Sequence, residues 1–340
     1  MTRVVALAGG VGGARLAQGL QLALPAGDLS VVVNTGDDEE FHGLLVCADH
    51  DTVVYTLAGL ADRAQGWGRI DETWTAVDEL ARLGEPTWFR LGDRDLALHV
   101  HRTHRLRARE RLTDVALSVQ RALGCPTPIL PMTDAPVRTR IRTTEGWLDF
   151  QDWFVRLHQA PDVREVAFDG IETAAPTPEV AAALAAADVI VICPSNPFVS
   201  VGPILAVPGM RASIDAAGAR GVPVVAVSPI VGGHALKGPA DRMLVSLSGD
   251  AGDPAAASAT GVARHYAVRH PGLLDALLID PVDAAEAPAI EALGIRAVVT
   301  PSVMTDDASR AALARAVLVA AGITVGKGSL TMGRLRTQVP

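Results

Sequence analysis

Apolar residues cluster in short runs at 4–8, 29–33, 188–193, 223–228, 276–280 and 297–300, with polar residues almost only at their ends. Such runs, rich in valine and isoleucine and bounded by loops, predict strands buried on both faces, as in a parallel sheet. Between them the apolar spacing turns helical, at Leu16, Leu20 and Leu22, across 210–219, and across about 307–321. Strand and helix alternate, which predicts an α/β fold: a doubly wound, mostly parallel Rossmann-like sheet with helices on both faces. The run 137–143 alternates apolar residues with basic and hydroxyl ones, the pattern of a half-exposed strand. Shorter β-type runs stand at 129–132 and 166–168, a helix starts near Phe150, and Pro178 sits in the first turn of an alanine-rich helix.

Residues 53–130 have another texture. Helical spacing appears at Val53, Val54, Leu57 and Leu60 and again over 71–83. This stretch holds Trp67, Trp74 and Trp88, the charged string Gly92-Asp93-Arg94-Asp95, and a basic run from His99 to Arg111. It predicts a helical insertion over the ligand edge of the sheet, inside a single α/β domain spanning 1–325, with 326–340 as a tail. A charge run is most often a solvated helix face. A tryptophan is more often core than platform, although an aromatic ring here would suit a flat ligand.

Composition narrows the function classes. The 340 residues are 49% hydrophobic and carry 30 Lys and Arg against 38 Asp and Glu, a net charge of −8. No global attraction to nucleic acid or an anionic membrane follows from that balance. Cys47, Cys125 and Cys193 share no metal-ligand spacing, and so sparse a set points to a reducing compartment, hence the cytoplasm. Neither a signal peptide nor a membrane span is expected.

Candidate chemistry gathers where strands end. After the first strand come Gly9-Gly10-Val11-Gly12-Gly13 and then Arg15. Bare backbone at a helix start suits a phosphate, and Arg15 adds a charge-assisted contact; the alternative is a tight turn that packs helix on sheet. The spacing is not that of a Walker loop. The second strand runs into Asn34-Thr35-Gly36-Asp37-Asp38-Glu39-Glu40, followed by Asp49-His50-Asp51-Thr52. Carboxylates beside a phosphate loop suit Mg²⁺, which binds through one or two of them and keeps several waters; a solvated acidic loop is the plain alternative. Loops 194–203 and 229–239 follow later strands and offer hydroxyls, amides, bare backbone and Lys237, as nucleotide or phosphate loops do.

In order, Gly9–Arg15, Asn34–Asp38, 49–57, Gly66-Trp67-Gly68, Asp71–Trp74, Leu91–Ala97, Ser195-Asn196-Pro197 and Ser228–Gly233 resemble the 2-phospho-L-lactate transferase family of coenzyme F-420 biosynthesis, over roughly residues 3–325. The resemblance implies Mg²⁺-dependent transfer of a phospho-three-carbon acid, enolpyruvyl or L-lactyl, from its guanosine diphosphate derivative to the deazaflavin Fo, releasing GMP. It also implies a homodimer with small-molecule substrates. The Ala-, Arg- and Gly-rich composition leans toward the enolpyruvyl donor. Phosphoryl transfer needs positioning and charge stabilisation above all. On this reading Asp38 and Asp51 are the foremost metal ligands, with Asp37 and Asp49 next. Gly10, Gly12, Gly13, Arg15, Ser195, Asn196, Ser228, Gly232 and Lys237 hold the donor. Thr52, Tyr55, Trp88, Asp93 and Arg94 face Fo. Asp51 and Asp93 are candidate catalytic acceptors of the hydroxyl proton, and Arg15 stabilises charge. A non-catalytic nucleotide-sugar-binding regulator ranks second. A dinucleotide-dependent oxidoreductase ranks third, because Asn34-Thr35 stands where an acid would hold the ribose.

Overall fold

The computed structural model describes residues 2–247 and 252–323. The first half runs β1 (Val4–Ala8), α1 (Gly10–Ala23), β2 (Leu29–Val33), the hairpin β3 (Glu39–Phe41) and β4 (Leu44–Val46), then α2 (Ala48–Leu57), α3 (Thr75–Arg82), α4 (Asp93–Arg107), α5 (Leu112–Ala122) and β5 (Ile129–Pro131). A small excursion follows: β6 (Arg138–Thr143), β7 (Gly146–Asp149) and β8 (Glu165–Asp169). The second half comprises α6 (Pro178–Ala185), β9 (Val189–Ile192), α7 (Val201–Ala206), α8 (Met210–Gly218), β10 (Val224–Val227), β11 (Ile230–Val231), β12 (His234–Ala235) and α9 (Ala240–Leu247). It closes with α10 (Ala259–Arg269), β13 (Ala276–Ile279), α11 (Ala287–Glu291), β14 (Arg296–Val299) and α12 (Asp307–Ala320).

Seven strands form one sheet in the order β14-β13-β10-β9-β1-β2-β5, every neighbouring pair parallel. The two halves wind outward in opposite directions from β1 and β9, so the topological switch point lies between them. In open α/β sheets the crevice beyond the strand ends at that point is the ligand site. Side-chain alternation splits each central strand between two cores. Val5 and Leu7 of β1 pack into one and Val4, Ala6 and Ala8 into the other, which is why the run carries no polar residue.

The first helix of the 53–130 stretch belongs to the main core. Val53 and Val54 of α2 are fully buried with Leu16 and Leu20 of α1. Gly19 lies where α1 meets α12; a Cβ there would stand 2.2 Å from the Arg310 carbonyl oxygen. The strand 138–143 alternates in burial as its sequence predicts, and pairs antiparallel with β7 and β8 in a separate three-stranded sheet. The helix expected from Phe150 is a single short helical segment, Asp152–Arg156, anchored by buried Trp153. The tail 326–340 lies outside the described residues. No helix among those described is long and apolar enough to cross a membrane.

Candidate functional site

The glycine turn sits at the switch point, and its glycines have different neighbours. Gly9 donates its N–H to Ser195 Oγ at 3.2 Å, and that hydroxyl donates back to the Gly9 carbonyl at 2.8 Å. The loops after β1 and β9 are thereby stitched together. Cβ positions built at Gly12 and Gly13 lie 2.3 Å from the Pro194 carbonyl oxygen and 2.6 Å from Ser195 Oγ, so both glycines admit the loop after β9 against α1. Gly10, with a positive φ, donates its N–H to Asp49 Oδ1 at 2.7 Å. A carboxylate from α2 therefore meets the positive end of α1, as the helix dipole favours.

Asp49 belongs to a buried acidic group. Asn34 Nδ2 donates to Asp49 Oδ2 at 3.0 Å and to the Val199 carbonyl at 3.1 Å, while its Oδ1 accepts the Gly36 N–H at 2.7 Å. This side chain folds the loop after β2 so that Asp37 and Asp38 turn inward; they are 5% and 2% exposed. Asp37 Oδ1 and Asp38 Oδ1 have no hydrogen-bond partner among the described residues. Burial pushes Asp38 up to about 7, with Asp51 adding to the rise and Arg102 and Arg138 opposing it. Burial likewise raises Asp37, helped by the charges of Asp49 and Asp38, and lifts Asp49 to about 6. No three His, Cys, Asp or Glu side chains converge as a ready metal cage among the described residues; the two carboxylates with unpartnered oxygens have the chemistry of a partial donor set for a divalent cation that keeps several waters.

Asp51 is placed differently. Arg102 of α4 grips it with both terminal nitrogens, Nη1 reaching Oδ2 at 3.0 Å and Nη2 reaching Oδ1. His50 Nδ1 and His99 Nδ1 stand 3.6 and 3.8 Å from its oxygens. Although burial opposes it, the charge of Arg102 together with the two histidines holds the Asp51 carboxyl well below the usual range. The basic run from His99 to Arg111 is thus not solvated throughout. His99 and Arg102 are buried, at spacing i, i+3, on the face of α4 that meets α2. That spacing was the available signal.

Two cavities lie near these residues, one between the β3–β4 hairpin, α4 and the loop before β6, the other against α1 and α2. One, about 300 Å³, is lined by Thr35, Asp38, Leu45, Leu106, Pro136 and Arg138 among others. The second, about 100 Å³, is lined by Val11, Arg15, Thr52, Thr56, Trp67 and Arg310 among others. Arg15 is half-buried there, its Nη1 3.4 Å from the Met304 carbonyl. Lys237 reaches from the loop after β12 to donate to the Gly66 carbonyl at 3.1 Å.

The remaining expected site residues spread over the same edge. Tyr55 is buried and donates to Asp95 Oδ1 at 2.5 Å. Trp88 is half-buried in a cluster with Phe41 and Phe89. Asp93 caps α3, accepting the N–H groups of Thr75 and Ala76 at 3.1 and 2.9 Å. Glu72 reciprocally accepts the N–H groups of Arg94 and Asp95 at the start of α4, and Arg94 itself is exposed. The Asn196 Oδ1 accepts from Phe198 N–H at 2.9 Å, and Ser228 Oγ bridges to the Ile230 backbone, so both shape their own loops. Gly232 donates its N–H to Asp283 at 2.9 Å. Asn34, Asp95 and Glu72 are structural members of this edge that sequence reasoning did not single out.

A seven-stranded parallel sheet flanked by helices, with the glycine turn after β1 and the acidic loop after β2, defines a Rossmann-like α/β protein. The chain belongs to the family described as 2-phospho-L-lactate transferase CofD, which matches residues 4–314. It is 45% identical over 287 residues to a phosphoenolpyruvate transferase of Streptomyces griseus, covering 83% of this chain and 86% of that one. It is 41% identical over 311 residues to a phosphoenolpyruvate transferase of Mycobacterium avium, covering 84% and 90%. Its fold resembles a crystal structure of a UPF0052 family member from Bacillus halodurans, with TM-score 0.59 and 15% identity over 93% of this chain and 98% of that one. The family assignment makes phospho-acid transfer related to F-420 biosynthesis the chemistry to be explained.

Proposed function

We propose that the protein transfers a phospho-three-carbon acid from its guanosine diphosphate derivative to the terminal ribityl hydroxyl of the deazaflavin Fo, releasing GMP. The enolpyruvyl unit is the favoured donor, because the relatives at 41–45% identity carry the name phosphoenolpyruvate transferase. The observation that carries the reading is the pair of buried carboxylates Asp37 and Asp38, each with an unpartnered oxygen among the described residues, together with the arginine-lined cavity at the start of α1. A metal-requiring transfer from a polyanionic diphosphate donor to a neutral hydroxyl needs both charge neutralisation and cationic positioning.

In this reading the acceptor oxygen bonds to the distal phosphorus, and the phosphoanhydride bond to GMP breaks. The hydroxyl proton passes to a carboxylate of the acidic cluster. Mg²⁺, held by Asp38 with Asp37 or Asp49 beside it, would supply charge neutralisation on the phosphate oxygens. Asp51 is already gripped by Arg102, so its share in holding the metal would have to be taken alongside that ion pair. Asp51 and Asp93 both lie below the ordinary carboxylate range, Asp93 through its hydrogen bonds with Thr73 and the α3 backbone, which weakens each as a proton acceptor. Arg15 and Lys237 attract the donor phosphates. Ser195, Asn196, Ser228 and Gly232 form the floor under the nucleotide, and Thr52, Tyr55, Trp88 and Arg94 the side toward Fo.

GMP release followed by chromatography tests the reading. It is expected to require donor, Fo and Mg²⁺ together, and to be lost in Asp38→Asn with the circular dichroism spectrum retained. Release that is independent of Fo would overturn it.

A further inference from the structure

The cavity beside Arg15 holds more positive charge than the glycine turn and its neighbours require. Arg15 and Arg310 line it, and so does Arg63 from the loop after α2. Lys237 closes in over Gly66 on the same rim; a Cβ at Gly66 would stand 2.4 Å from its Nζ. Three acids offset these four cations nearby: Asp62, Asp307 and Asp306, the last accepting the Ser309 N–H at the start of α12. Asp307 pairs with Arg63 at 2.9 Å and with Arg310 at 3.3 Å, and Asp62 is spent on the backbone N–H groups of Ala64 and Gln65.

Arg310 is the unusual member. It is 5% exposed, its Nη1 donates to Gln18 and Asp307, and its Nε has no partner among the described residues. A buried guanidinium nitrogen left unpaired is costly unless a ligand completes it. Burial, with Arg63 and Arg15 close by, lowers the basicity of Arg310, and burial with Arg15 does the same to Lys237. Like charges have been brought together on a cavity wall, and an oxyanion would relieve their repulsion.

We propose that Arg63 and Arg310, with Arg15 and Lys237, form an oxyanion subsite that takes the distal phosphoryl end of the nucleoside diphosphate donor. Assigning the anion to the donor rests on the transferase reading; the oxyanion chemistry of the cavity does not. Four cations against three acids, two of which are spent on backbone N–H groups, leave a positive surplus suited to a phosphoryl group. Arg63 and Arg310 are thereby residues that discriminate diphosphate from monophosphate, favouring entry of donor over retention of GMP.

Calorimetric titration of the full chain with GDP, GMP and inorganic pyrophosphate tests this without turnover. The unmodified protein is expected to bind GDP more tightly than GMP. Arg63→Ala, at an exposed position, and Arg310→Gln are each expected to weaken GDP and pyrophosphate about tenfold, roughly 1.4 kcal/mol, while leaving GMP unchanged. Equal losses for GDP and GMP, no loss for either in Arg63→Ala, or no preference for GDP in the unmodified protein would overturn the subsite. Product formation with Fo is read separately. If the discrimination follows Arg63 and Arg310 but no Fo adduct forms, the subsite stands and the transferase reading falls.

Discussion

Arg102 lies fully within the protein and clasps Asp51 in a two-pronged ion pair, 3.0 Å between Nη1 and Oδ2. The pair joins α4 to the start of α2 directly beneath the acidic loop. Arg102 Nη1 also lies 3.3 Å from the Leu45 carbonyl, so one guanidinium secures α2, α4 and the β3–β4 hairpin. Removing one partner leaves the other charge buried and unpaired. Arg102→Met is expected to destabilise the fold by about 3–5 kcal/mol. The double variant with Asp51→Asn is expected to recover a large part of that loss, measured by urea denaturation. Additive losses would show that the two residues act independently.

Asp38 predicts a pH dependence of definite sign. With its carboxyl lifted to about 7, the folded state keeps a proton that the unfolded chain releases near pH 4. Between those values the folded state binds more protons than the unfolded one, so stability falls as pH rises. Asp38→Asn, which mimics the protonated form, is expected to be more stable than the unmodified protein by an amount that grows from about pH 4 to about pH 7. The gain then levels at no more than about 4 kcal/mol. Thermal melts in metal-free buffer across that range read the difference; a constant gap would contradict the burial argument. Added Mg²⁺ is expected to raise the melting temperature of the unmodified protein at pH 8 and not that of the variant.

Gly12 tests the packing account of the glycine turn. Gly12→Ala drives a methyl group to 2.3 Å from the Pro194 carbonyl oxygen, which must then move with the loop after β9. A loss of about 1–3 kcal/mol is expected, the usual cost of overpacking a tight contact. Gly27→Ala serves as the comparison, because a Cβ there has no neighbour within 4 Å, although its positive φ strains the substitution. Gly12 is helical and has no positive φ, so a loss there reports the contact, and an unchanged stability in Gly12→Ala would contradict the packing account.

The fold was legible because each central strand is apolar on both faces, and only a covered parallel sheet explains that pattern. Val4–Ala8 and Val189–Ile192 illustrate it, each buried at every position. The site was legible in part. Strand ends located the glycine turn and the acidic loop, because loops at the carboxyl edge carry polar residues for which the core has no place. Partnerships were not legible. The pairing of Arg102 with Asp51 spans 51 residues, and although the i, i+3 spacing of His99 and Arg102 marks a shared helix face, nothing local names the partner. The resemblance names Asp93 as a site residue; what the sequence did not show is that its carboxylate caps α3 while Glu72 caps α4 in return. Arg310 escaped notice for the same reason as Arg102. Its role depends on the crossing of α12 over α1 at Gly19, a contact between opposite ends of the chain.

The most direct measurement of the transfer is mass spectrometry of a reaction containing Fo, MgCl₂ and an equimolar mixture of the enolpyruvyl- and L-lactyl-guanosine diphosphates, with a matched sample in EDTA. The account predicts an Fo–phospho-acid adduct carrying the enolpyruvyl unit, accompanied by GMP and absent in EDTA. Consumption of neither donor, with guanine nucleotide bound and Fo left unchanged, would contradict it.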